Sequence, residues 1–257
     1  MATRGVRLAR SLCLATVAVL ALLAARPASA YRPFDGTDAH VAEHRLFELE
    51  MSPIAYARMG LERSLIAPQV TFNYGAGAGY EFVLEGASVM LMNPEPEGVS
   101  PTLEQAGCSL KKVLRPGVLQ KRKGPSIATE ESIDFPSRGQ AHAGFGASLI
   151  VSQPFSPAVS MLHFNAALER TPDQQTNRFA GMILEGPESW PIRPVAELSW
   201  AREGSAGGVR GYLAGIIWQT RQGLTMDAAI KAIDGGPMHG FEVRSGFTWH
   251  MQIRKRA

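Results

Sequence analysis

The sequence predicts an all-β fold, a transmembrane antiparallel up-and-down β-barrel of about twelve strands. Three observations carry that expectation. The last stretch, residues 241–253, reads FEVRSGFTWHMQI. Phe241, Val243, Phe247, Trp249, Met251 and Ile253 share one parity, and Glu242, Arg244, Thr248, His250 and Gln252 share the other. Successive strand side chains point to opposite faces, so this strand has a greasy face and a charged one. Its 13 residues exceed the roughly 9–11 tilted residues that cross a bilayer. The second observation is an export leader at residues 1–30. The third is that no other apolar run approaches the length of a spanning helix, so any membrane hydrophobicity must lie in alternation.

The leader comes first in chain order. Arg4, Arg7 and Arg10 form a basic start, Leu12 to Ala25 an apolar run, and Ala28-Ser29-Ala30 a small-residue cleavage site. Cleavage after Ala30 leaves 22 of the 26 basic residues against 23 acidic ones, so nothing global points to nucleic acid. Only Cys108 then remains of the two cysteines, which excludes an internal disulfide. Residues 31–45 are polar, with a Pro and an Asp-Gly turn signal, and read as an irregular periplasmic lead-in.

The barrel is assigned to residues 46–253 and a basic tail to 254–257. Its first strand alternates Phe47, Leu49 and Met51 with Glu48 and Glu50. Val70, Phe72 and Tyr74, the glycine turn Gly75 to Gly79, and then Tyr80, Phe82 and Leu84 against Glu81 and Glu85 form a hairpin. The glycines look like a phosphate loop, but no helix pattern follows them. Further strands are expected near 107–115, 124–134, 142–152, 158–169, 177–186, 192–202, 209–219, 222–232 and 239–253. An even total puts both chain ends on one side, as bacterial barrels require. Two stretches, Leu103 to Leu114 and Met226 to Ile233, also carry near-helical spacing. The chain ends in Arg254-Lys255-Arg256-Ala257, not in an aromatic residue.

The segments PFDGTDAHVAE, APQVTFNYGAGAGYEFVLEG, SLKKVLRPGVLQ and GPSIATE resemble a group of bacterial outer-membrane barrels labelled transporters. That group lies near the family named for the MetA pathway of phenol degradation. The resemblance implies a membrane barrel and solute passage, with no catalytic signature.

Parity assigns the chemistry. The lumen is expected to collect Glu48, Glu50, Glu81, Glu85, Lys111, Arg115, Glu130, Glu169, Glu185, Arg193, Glu197, Asp227, Lys231, Glu242 and Arg244, with His163 and Asn165 as polar neighbours. Phe47, Phe72, Tyr74, Tyr80, Phe82, Trp218, Phe247 and Trp249 are expected at lipid or the interface. Lys112 and Glu131 fall on the lipid parity, where a mid-bilayer charge costs about 2–4 kcal/mol for Lys and less for Glu. Twelve strands lie between about eight, which enclose a filled interior, and sixteen, which leave an aqueous channel. The function expected is a narrow passive channel for small solutes; the alternative is a plugged structural or ligand-binding barrel without transport. A hydrolase built on Ser148, His163 and Asn165 is disfavoured, because parity sends all three inward and no glycine-flanked serine occurs. The expectation is therefore no enzyme, no catalytic residue, no cofactor and no metal. Outer-membrane lipid, the barrel-assembly machinery and a small-molecule solute are the expected partners.

Overall fold

The computed structural model describes residues 32–92, 102–137, 140–156, 160–205, 207–221, 223–235 and 238–252. The expected leader and basic tail lie outside these residues. Among them, β1 spans Leu46–Met59, β2 Glu62–Gly77, β3 Tyr80–Leu91, β4 Thr102–Arg115, β5 Ser126–Asp134 and β6 Gly144–Pro154. Then come β7 Met161–Arg170, β8 Thr176–Glu185, β9 Ile192–Glu203, β10 Val209–Arg221, β11 Leu224–Gly235 and β12 Met238–Gln252. Each strand pairs antiparallel with the next, and β12 returns to β1, so the twelve described strands close one barrel. Closure removes both edges, which is what a sheet in lipid requires. Both stretches of near-helical spacing are strands, β4 and β11. In each, hydrogen bonds to two neighbouring strands override local propensity.

The greasy parity faces outward. Phe82 is 54% exposed, Trp218 47%, Phe72 37% and Tyr74 36%. Phe47 stacks against Phe72 at a ring separation of 5.6 Å. Tyr80, Phe247 and Trp249 stand on the same surface, and Lys112 Nζ rests 5.1 Å from the Tyr80 ring near the end of β4. Glu131 also faces outward, beside Phe82, Ile133 and Phe145.

Irregularities reset the parity where the sequence alone does not show it. Register breaks between Met51 and Ile54, so Ser52 and Ala55 both point inward although they are three residues apart. Pro68, which has no N–H to give, sits in a second break between Ile66 and Gln69. A third break, between Val113 and Arg115, corrects one expectation. Arg115 does not enter the lumen; it is exposed, and its Nη1 donates to the Pro125 carbonyl at 3.1 Å.

The second correction is larger. The lead-in is irregular, but it lies within the barrel wall and not beyond it. Residues 32–45 run inside it, bonded to residues of eight strands, and leave at the end of the barrel where β1 begins. Beside them the lumen is full: Ser52, Thr248, His163, Ile150 and Ile183 are at or near zero exposure.

The facing yields paired expectations for refolding into liposomes under urea titration. Phe247→Arg should lower stability by about 2–4 kcal/mol, and Glu131→Leu should raise it by about 1 kcal/mol or more. Thr248→Arg should also fail, because that site has no room for the side chain.

Candidate functional site

The candidate site is the lumen, and its lower half is built around residues 32–45. That segment has no strand or helix of its own, so its backbone groups must find partners elsewhere. Carboxylates and amides on the inward parity supply them. Glu197 accepts from the Asp35 N–H at 2.8 Å and from the Gly36 N–H at 2.9 Å. Asn165 accepts from the Thr37 N–H at 2.9 Å and donates to the Thr37 carbonyl at 2.8 Å. Ser152 accepts from the Ala39 N–H, and Glu81 from the Ala42 N–H. Near the rim, Gln252 donates to the His44 carbonyl.

Charges complete the attachment. Asp35 lies 2.6 Å from Lys231 Nζ and 2.7 Å from Arg244 Nη2. Arg244 is itself held by Glu242 at 2.7 Å and donates to the Pro33 carbonyl at 2.8 Å. Arg32 reaches Asp227 at 3.3 Å, and Lys111 reaches Asp38 at 3.6 Å and the Thr37 hydroxyl at 3.0 Å. Burial by itself raises the Asp35 carboxyl, but Arg244 and Lys231 outweigh it and hold the group below its ordinary 3.8.

Glycine makes room for the passage. A Cβ on Gly75 would lie 2.0 Å from the Glu43 carbonyl oxygen, and one on Gly36 would meet the Asn165 amide at 2.9 Å. The glycine turn therefore has two roles. Ala78 and Gly79, with φ of 55° and 78°, reverse the chain, while Gly75 lets the lead-in cross the wall closely.

The other expected lumen residues are placed as follows. Glu50 accepts from Asn73 Nδ2 at 2.8 Å, and Glu48 lies 3.3 Å from His250 Nδ1. Arg193 pairs with Glu185 at 2.9 Å, buried below the segment and away from open space. Glu130 accepts from the Ser109 hydroxyl. Glu85, Glu130 and Glu169 line the upper half.

That upper half is a cavity of about 960 Å³, reaching from the segment to the rim at Phe135, Gln140 and Thr171. Among the described residues that line it, twelve are carboxylates and four are Lys or Arg, so the cavity is acidic. Sequence reading missed Asp35, Asp38, Asn73, Asp134, Ser152 and Ser199. Asp35 and Asp38 lie on a segment without periodicity, and nothing local shows where such a segment docks.

The enzyme alternative meets a specific geometry. His163 Nδ1 lies 2.8 Å from Ser152 Oγ, not from Ser148, and Nε2 lies 3.9 Å from Glu185. Ser152 is fully buried and already bonded to Ala39, so no substrate carbonyl reaches it.

No family model matches the chain, and no curated protein matches it in sequence. Solved structures do match in fold. The NanC porin superposes with a TM-score of 0.54 at 7% identity, over 79% of this chain and 98% of that one. The KdgM porin superposes with a TM-score of 0.50 at 6% identity, with the same coverage. At such identities the likeness is one of fold, a closed barrel of the outer-membrane porin kind.

Removing one anchor measures how the segment is held. Asn165→Ala deletes both bonds to Thr37 and should weaken segment docking by about 1–3 kcal/mol. Faster amide exchange at residues 36–39, with the strands unchanged, is the expected readout.

Proposed function

We propose that the protein is a passive outer-membrane channel for small solutes, narrowed by its own N-terminal segment. The carrying observation is the acidic cavity of about 960 Å³ whose floor is residues 32–38. A structural barrel gains nothing from keeping an open, charged half. The twelve-strand wall leaves a lumen between a filled one and a wide aqueous one. The sequence resemblance to outer-membrane transporters near the MetA phenol-degradation family points the same way.

In this reading the end carrying the segment and the start of β1 faces the periplasm, and the rim at Phe135 and Thr171 faces outside. Solute enters the cavity, and the segment must shift for it to pass. Hydrogen bonds and ion pairs dominate its attachment, and water can replace these as the segment moves. That distinguishes it from a greasy plug, whose release would expose apolar area at about 25 cal/mol per Å².

One observation favours the alternative reading of a plugged, non-conducting barrel: the tight packing below the segment. Planar bilayers separate the two. The native protein should show conductance well below that of a sixteen-stranded porin. Replacing residues 34–42 with a Gly/Ser stretch of equal length should raise it several-fold. Silence from both proteins would make the plugged barrel correct.

A further inference from the structure

The way the lumen grips Asp35 and Gly36 describes a ligand. Glu197 takes two N–H donors, at 2.8 and 2.9 Å. Lys231 and Arg244 take the Asp35 carboxylate, at 2.6 and 2.7 Å. Glu197, Lys231 and Glu242 form one row across four strands, and Arg244 is two residues along β12 from Glu242. Leu213 on β10 lies opposite both Glu197 on β9 and Lys231 on β11, and Lys231 lies opposite Glu242 on β12. Glu242 chelates Arg244 through Nε and Nη2, at 2.7 and 2.8 Å, so the guanidinium is aimed before anything binds. Lys231 and Arg244 border the open cavity, and Glu197 is only 1% exposed, covered by the segment itself.

We propose that Glu197, Lys231 and Arg244 form the solute-recognition site of the lumen, built for small zwitterions that carry a carboxylate beside an N–H donor. Residues 35 and 36 occupy it as an internal stand-in. This rests on the channel reading and names its solute class. Within Asp35 the amide nitrogen and the carboxylate are separated as in a β-amino acid, which sets the best-fitting solute. The cavity above filters in the same sense. Its twelve carboxylates against four bases repel a plain anion. A plain cation finds Glu197 but leaves Lys231 and Arg244 unanswered. A zwitterion enters without net repulsion and answers both. Because the stand-in is tethered, its effective concentration is roughly millimolar or higher, so solute must compete at similar concentrations. Weak competition of that kind suits a passive pore. Displacement of Asp35 by solute then couples recognition to release of the segment.

The test uses the full mature chain in liposomes, in a Cys108→Ser background carrying His40→Cys as a reporter on the segment. Probes are β-alanine, glycine, acetate, ethylamine and glycerol. Labelling of the reporter by a membrane-impermeant maleimide reads segment release, and liposome swelling reads passage. β-Alanine, and glycine less strongly, should speed labelling and swelling relative to the other three probes. Glu197→Gln or Lys231→Met should each reduce that preference about tenfold, the equivalent of one charge-assisted contact. Lys231→Arg should restore it, and heat-modifiability on gels shows that each variant is folded. Equal labelling by all five probes with equal swelling would overturn the recognition site and leave the channel standing. Faster labelling by β-alanine without swelling would keep the site and overturn the channel. No response in either measurement would overturn both.

Discussion

The structure depends on one constraint: charges sent indoors by strand alternation need donors and counter-charges there. Lipid outside forces the greasy parity outward, and closure of the barrel leaves the acidic parity nowhere else to go. A buried carboxylate without partners is costly. The strands offer few spare donors, since their own N–H groups are spent on the ladder. The lead-in, with no ladder of its own, has donors to give. Glu197, Glu81, Asn165 and Ser152 take four stretches of its backbone, so wall and segment satisfy each other.

This reciprocity explains why the two halves of the lumen differ. Below, where the segment runs, side chains such as His163, Thr248 and Glu185 are packed and withdrawn from water. Above, where it does not reach, Glu85, Glu169 and Glu203 border open space. Solvent there does what the segment does below. One sheet therefore carries a solid floor and a wet vestibule without any change in strand number.

The wall was legible in the sequence because its signal is local. Phe247 and Thr248 are neighbours, and period two alone puts them on opposite faces. The same logic failed at Arg115, where one extra residue at a bulge turned the side chain out of the expected row. It had nothing to say about residues 31–45. A polar stretch with Pro and Asp-Gly looks the same whether it lies in solvent or in a lumen. Its contacts join residues as far apart as Pro33 and Arg244, 211 positions away. A non-local hint did exist. The inward parity holds many more acids than bases, and such an excess calls for donors from elsewhere. Gly75 gave a weaker one, since a glycine beyond the needs of the turn marks a close approach by another backbone.

The attachment of the segment has a mechanical side. From Arg32 to His44 its bonds follow one another along a single chain that bends at residues 35–36 and 39. They share the load when the barrel is at rest, and thermal escape must break them together. A tug on the Arg32 end loads them in turn, as a zip is opened tooth by tooth. The force needed is set by the strongest single tooth and not by their sum. A latch built this way stays shut against diffusion yet yields to a pull far weaker than its resting stability implies.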